Sequence, residues 1–285
     1  MFAIIGIVVV VVCVIGGFIM AGGNVLLLIQ VAEFVVIGGA AVGSVLISSP
    51  TPLIKKIVAM LPQIFKEHKT SKEDYIEMLR AFSTLFLTAQ REGLLAIEKH
   101  IEDPDKSEIL SKSKVFIEDE YKKNFFCDTM KVMLAGSVPP HELESLMDAE
   151  IETFEKENLP VHETIGKVGD ALPGLGIVAA VLGIIVTMAS ISDGPEAVGK
   201  HVAAALVGTF LGVLLSYGFV NPMASNISHI IEEKVQDLQM IKTVILAYAK
   251  GNPPFVAAEM ARRVIFSGER PTFQELENSL RGKKQ

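Results

Sequence analysis

At 285 residues, half of them hydrophobic, and with a mean hydropathy of +0.43, the chain is more apolar than a soluble protein of its size. Yet 21% of its residues are charged, so the two populations must be segregated along it. A net charge of −7 without any run of Lys and Arg leaves no basic face, which excludes nucleic acid as a partner.

The first apolar run, Phe2 to Ala21, has no basic segment before it and no small-residue cleavage pattern after it, and a second apolar run follows at once. It reads as a retained membrane helix rather than a secretory leader. Cys13 within it, and Cys127 further on, stand apart from any CxxC or Cys/His cluster, so neither zinc nor a disulfide framework is expected. Both read as small hydrophobes. Gly22-Gly-Asn24 makes a very short turn, and Leu26 to Ile47 is the second span, with Glu33 the one formal charge in residues 1–48. Lys55 and Lys56 follow the Ser48-Ser-Pro-Thr-Pro52 break and put that end of the span in the cytoplasm.

The span from Lys55 to Lys167 is densely charged and reads as soluble helix. Leu53, Ile54, Ile57, Val58, Leu61, Ile64 and Phe65 recur at helical spacing up to a break at Pro62. Thr70-Ser71-Lys-Glu73-Asp74 resembles a capping box opening a helix that runs to Ile101, where Asp103-Pro104 stops it. A further helix is expected over 106–135 with Gly136 as its C-cap, and another from Pro139-Pro140 to about Asn158.

Pro173 to Pro222 is a membrane hairpin bracketed by two prolines. Its arms run without Asp, Glu, Lys or Arg from Pro173 to Ser192 and from His201 to Phe219, each close to the roughly 20 residues that cross a bilayer. The loop between them holds Asp193, Glu196 and only Lys200, which suits the outer side. Lys167 before it, and Lys234 and Lys242 after it, suit the inner side. An amphipathic helix continues from Ile227 to about Lys250, Asn252-Pro-Pro254 interrupts it, another helix covers Phe255 to Phe266, and Ser267-Gly-Glu-Arg-Pro271 leads into a short polar tail.

The expected fold is therefore an all-α integral membrane protein with four transmembrane helices. A large cytoplasmic helical domain separates helices 2 and 3, and helices 3 and 4 have cytoplasmic extensions. The segments are 1–48 and 167–222 for the two membrane pairs, 49–166 for the cytoplasmic domain, and 223–285 for the C-terminal helices and tail.

No HExxH, P-loop or GxSxG motif is present, and Gly174-Leu-Gly176 opens a membrane helix instead of following a strand, so no enzyme is expected. Glycines at small-xxx-small spacing, Gly39 with Gly43 and Gly208 with Gly212, suit close helix packing. Ionisable residues inside a membrane usually mark ion relays, yet the four spans hold only Glu33, near the outer end of its helix. Either the bundle moves no ions or a partner helix brings the acid. Thr209 could line such a path beside Gly208 and Gly212, or simply bond back to a carbonyl of its own helix. Pro173 fits the first turn of a helix, and Pro222 marks where the fourth span kinks.

Three stretches carry a resemblance: Asp170-Ala-Leu-Pro173-Gly-Leu-Gly-Ile-Val-Ala-Ala180, Ala205-Leu-Val-Gly-Thr209-Phe-Leu-Gly212 and Tyr217-Gly-Phe-Val-Asn-Pro222. Together with Glu92-Gly-Leu-Leu-Ala-Ile-Glu98, Glu269-Arg-Pro-Thr-Phe273 and Glu275-Leu-Glu277, they resemble the MotA family of flagellar stator proteins over essentially the whole chain. The resemblance implies a proton channel that turns the flagellar rotor, in the bacterial inner membrane with both termini cytoplasmic. Its partner would be a MotB-like single-span protein carrying the intramembrane Asp. It further implies a homo-oligomer, five copies around a partner dimer, that contacts the rotor protein FliG and has no cofactor besides the coupling ion.

By the same resemblance Pro173 and Pro222 couple ion passage to movement, and Thr209 is the hydroxyl near the partner's acid. Ala180 stands where sodium-driven relatives carry Thr, which favours protons, since a methyl cannot replace a hydration shell. Arg91, Glu98 and Glu150 match rotor-contact charges, with Gln90 departing from a usually basic position. Spacing puts Arg91 and Glu98 on one face of the expected helix, where they would otherwise form an internal ion pair. Alternatives are an ExbB/TolQ-like energiser of outer-membrane processes, whose members have three spans, a sodium-driven PomA-like stator, and a non-conducting membrane scaffold.

Overall fold

The computed structural model describes residues 2–65, 70–136, 138–189 and 194–281, and every regular element among them is helical. Asp193 and the side chain of Lys200, both read into the outer loop, lie outside the described residues. Contacts divide the chain into two units, Met1–His68 with Asn158–Ile230, and Lys69–Glu157 with Ile231–Gln285.

The first unit holds α1 (Phe2–Met20), α2 (Val31–Ser48), α3 (Thr51–Met60), the later part of α8 (Pro140–Ala189), α9 (Pro195–Leu215) and the start of α10 (Asn221–Ala249). Among the described residues four helices are long and apolar enough to cross a membrane. α1 is apolar all round and has no buried residue within the chain. The turn after it takes Gly22 at φ 83°, and the Asn24 carboxamide oxygen accepts from the Leu26 N–H at 3.0 Å. That cap opens a short 3₁₀ turn, Val25–Leu28, so the α-helical second span begins at Val31 and not at Leu26.

α8 is one helix through Pro160 and Pro173, which overturns the expected stop near Asn158. Pro173 therefore sits inside a helix, not in a first turn. In the fourth span the irregularity precedes its proline. Ser216–Val220 forms a π-turn, closed by the Asn221 N–H on the Ser216 carbonyl. In a regular helix the Pro222 ring would collide with the carbonyl four residues back, and the wider turn relieves it.

α8 and α9 approach backbone to backbone. A Cβ on Gly176 would fall 2.7 Å from the Gly208 carbonyl oxygen, and one on Gly212 would fall 2.5 Å from that of Leu172 and 2.9 Å from the Gly176 Cα. Small residues give close helix contact where lipid supplies no hydrophobic drive. Ile37 and Ala41 of α2 complete this core with Leu172, Ala179, Val207 and Leu211. Gly39 and Gly43, expected to do the same, meet nothing within 4 Å among the described residues.

The second unit is built on large side chains. α4 (Lys72–Glu92) opens on the expected capping box, Ser71 with Asp74, and buries Tyr75, Met78, Leu79, Phe82, Leu85 and Phe86 on one stripe. Phe82 stacks on Phe126 at 4.3 Å, and Phe86 on Tyr248 of α10 at 4.2 Å. Asp237 is buried. It accepts from the Tyr75 hydroxyl at 2.5 Å and the Thr70 hydroxyl at 3.1 Å, and pairs with the buried Lys122. Cys127 is buried, and burial pushes its thiol up to about 11, which makes it inert.

Two expected long helices are broken here. α4 ends at Gly93, whose φ of 92° a side chain would resist, and Leu94–Ile97 turns as 3₁₀ into a short α5 (Glu98–Glu102). The stretch 106–135 divides into 3₁₀ turns, α6 (Lys114–Glu118) and α7 (Glu120–Ala135). Asp119 forces the last break, since its carboxylate caps the Tyr121 and Lys122 N–H groups. Gly136 ends α7 with an extended backbone, not as a left-handed cap. After α11 (Pro254–Val264) the expected polar tail contains a helix, α12 (Phe273–Leu280), opened by a Thr272/Glu275 capping box.

Candidate functional site

The candidate ion-path residues gather in the first unit along the small-residue seam. Pro173, Gly176, Ala180, Gly183 and Thr187 recur every three or four residues and share one stripe of α8. Ala205, Gly208 and Gly212 form the answering stripe on α9. Ala180 is buried, and its backbone N would lie 3.2 Å from a Cβ placed on Gly208, the residue before Thr209. A Cβ on Gly176 would reach the Thr209 Cα at 3.3 Å. So Ala180 and Thr209 belong to one level of the seam.

Thr209 is half-buried, and its hydroxyl has no hydrogen bond among the described residues. The back-bond expected of a membrane threonine is instead made by Thr187, buried and 2.8 Å from the Gly183 carbonyl oxygen.

Both prolines lie next to a polar tie between the two long helices. The Asn221 side chain donates to Asp170 Oδ1 at 3.2 Å, and it occupies the space where Gly169 lacks a Cβ. Pro173 is one turn beyond Asp170, and Pro222 follows Asn221. Below them His162 donates from Nδ1 to the Ala224 carbonyl at 2.9 Å. Pro222 itself is exposed. With Tyr217 and Met223 it lines an apolar groove of about 310 Å³ closed on its other side by Ala3, Ile7 and Val10 of α1.

Glu33 is the residue that sequence reasoning underrated. It is only 7% exposed, its Oε2 has no hydrogen-bond partner, and it packs on α8 and α9 at Gly183 and Gly208. The available signal was a lone carboxylate within an aliphatic run facing two glycine-bearing helices.

The candidate rotor charges lie in the second unit. Arg91 is exposed in the last turn of α4 and Glu98 is exposed as the first residue of α5. Gly93 separates them, so the single helix face expected for them does not exist. No ion pair joins them, and neither has a charged partner among the described residues. Glu150, on α8, is half-buried. Burial raises its carboxyl above the ordinary range, and nearby Asp128 adds to the rise.

Among the described residues no cluster of His, Cys, Asp and Glu could hold a metal ion. Residues 4–93 match the family model described as motility protein A N-terminal, and residues 117–240 match that of the MotA/TolQ/ExbB proton channel family. Motility protein A of Salmonella typhimurium is 36% identical over 282 residues, 99% of this chain and 95% of that protein. The Escherichia coli protein of the same name is 36% identical over 285 residues, 100% and 96%.

The chain belongs to the motility protein A family.

Its fold agrees with that membership. The Campylobacter jejuni MotAB structure superposes with a TM-score of 0.80 over 95% of this chain and 98% of that one, at 23% identity. The flagellar MotAB stator complex of Bacillus subtilis superposes at 0.74 over 90% and 92%, at 26% identity. Family membership makes the chain a multi-span membrane protein of the proton channel class.

Proposed function

We propose that the chain is the four-span subunit of a flagellar stator which, with a MotB-like single-span partner, forms a proton channel coupling ion flow to torque on the rotor. The observation that carries this is the Ala180–Thr209 level of the seam. There Thr209 is only half-buried and its hydroxyl has no hydrogen bond among the described residues, beside a seam whose small residues hold α8 and α9 together, so this edge of α9 is open to a further helix. That the homologous B. subtilis structure is described as a MotAB stator complex supports a second chain of the MotB kind.

In this reading the partner's aspartate takes up a proton beside Thr209. Losing its charge in a low dielectric changes its preferred surroundings by several kcal/mol, enough to move a helix. Pro173 and Pro222, next to the Asp170–Asn221 tie, pass that movement along α8 and α10. Ala180 offers a methyl where sodium would need an oxygen, so the coupling ion is the proton. Arg91, Glu98 and Glu150 form the FliG contact, the first two already free of internal pairing. The lysine pattern supports both termini on the cytoplasmic side, and the stator reading puts the chain in the inner membrane. The exposed α1 suits packing between neighbouring copies in a pentamer around a partner dimer.

Co-purification from detergent extracts tests the reading. A small single-span protein with one intramembrane Asp is expected in the complex, and Pro173→Ala is expected to keep it assembled while impairing torque. Swimming that stops when sodium is removed would refute the proton assignment. Normal motility with Pro173→Ala would refute the coupling role.

A further inference from the structure

Glu33 has the geometry of a site in its own right. Its carboxyl lies where α2, α8 and α9 meet, and the space it fills exists because two of its neighbours lack side chains. A Cβ on Gly208 would fall 2.5 Å from Glu33 Oε2, and one on Gly183 would fall 3.7 Å from Oε1. Gly208 lies about 20 Å along α9 from Pro195, and Gly183 about 9 Å before the end of α8, at roughly 1.5 Å per residue. Counted from His201, where the apolar run of α9 begins, Gly208 is about 10 Å in, so with Glu33 in the first turn of α2 the group lies in the outer part of the apolar layer. α8 turns Ala179, Ala180 and Gly183 to this region and α9 turns Ala205 and Gly208, none of them titratable. His201, one turn before Ala205, is exposed. No cation, hydroxyl or backbone N–H meets Oε2 among the described residues.

We infer that Glu33 is a proton-binding site carried by this chain itself, one step outward of the Ala180–Thr209 level and in series with the acid brought by the partner. Burying a carboxylate without a counter-charge costs several kcal/mol, and uptake of a proton removes that cost. Glu33 neighbours Gly208, and Gly208 adjoins both Ala180 and Thr209, so a proton released from Glu33 is delivered at the level where the partner's acid would wait. The glycine at 208 leaves the space that the carboxyl occupies. The inference rests on the stator reading for the direction of flow, but not for the existence of the site.

The test uses the complete stator complex in liposomes. N,N′-dicyclohexylcarbodiimide, which adds to protonated carboxyls in apolar surroundings, is expected to modify the Glu33 peptide, and less so as external pH rises. Glu33→Gln keeps the size and polarity of the side chain. It is expected to assemble normally yet lower the proton current by at least about tenfold, with its dependence on external pH lost. Glu33→Asp should restore current with a displaced pH profile. A Glu33→Gln complex with wild-type current and pH profile would overturn the inference while leaving the stator reading intact. Absence of label at Glu33 at every pH would overturn it too. If the wild-type complex carried no proton current, the stator reading would fail and the labelling alone would decide for or against the site.

Discussion

The two units of this chain solve the problem of holding helices together in opposite ways. In the second, water supplies the force. Phe82, Phe86, Phe116, Phe125 and Phe126 are fully buried, and a buried charge network, Asp237 with Lys122, Tyr75 and Thr70, extends through Asp119 to Lys234. In the first, lipid removes that force. Helices touch through Gly176, Gly208 and Gly212, α1 buries nothing, and Glu33 keeps an oxygen unpaired. The second unit thus closes its core with buried rings, whereas the first keeps an apolar helix exposed and a buried carboxyl unpaired.

The largest effect should come from breaking that network. Asp237→Ala leaves Lys122 buried, with only Asp119 at 3.8 Å to compensate, and should cost about 3 kcal/mol, read as a lower unfolding temperature of the purified complex. Phe126→Ala, in the middle of the aromatic stack, should cost about as much. In the other unit a single methyl should suffice. Gly176→Ala would push a Cβ against the Gly208 backbone and should cost about 1–3 kcal/mol, together with motility, whereas a water-soluble helix would gain from the change.

A smaller effect is expected at the edge of the second unit. Glu275 accepts from Lys72 at 2.8 Å and from the Thr272 backbone and hydroxyl, which lowers its carboxyl from the ordinary 4.5 to about 2. Its folded value lies below its unfolded one, so the contribution is fully present above about pH 4.5 and fades as pH falls toward about 2. Glu275→Gln should remove that acid-side dependence in a pH series of thermal melts. Smallest of all, Gly39→Ala should change the stability of the subunit by less than about 0.5 kcal/mol, because open space surrounds it. A large loss there would show that the outer face of α2 is an interface with another chain.

Much of this was open to a reading of residues alone. Four apolar runs of membrane length, the proline-bracketed hairpin, the Ser71 capping box and the packing of Gly208 with Gly212 follow from local chemistry and spacing. The Thr272-Phe-Gln-Glu275 cap has the same pattern as Ser71 with Asp74, yet the stretch reads as a polar tail, and the cap opens α12. The helices α3, α5 and α10 do end just before Pro62, Pro104 and Pro253; what misled was a stop expected near Asn158 and a helix expected to run through Gly93. Pro160 did not end α8, because a proline costs only one hydrogen bond and a carbonyl clash that a long helix can absorb. Gly93, without any proline near, ended α4 through its positive φ.

By itself the sequence determined the class of protein: which segments are apolar, how long they are and which residues are small enough for backbones to meet, since these depend on composition and period. Only the tertiary structure decided what each polar group faces. Glu33 looked like a peripheral charge until α8 and α9 closed over it, and Arg91 and Glu98 looked like partners until Gly93 turned the chain between them. The physical reason is that burial and pairing depend on residues far away in the chain, and no local pattern records which side chains the fold will bring into contact.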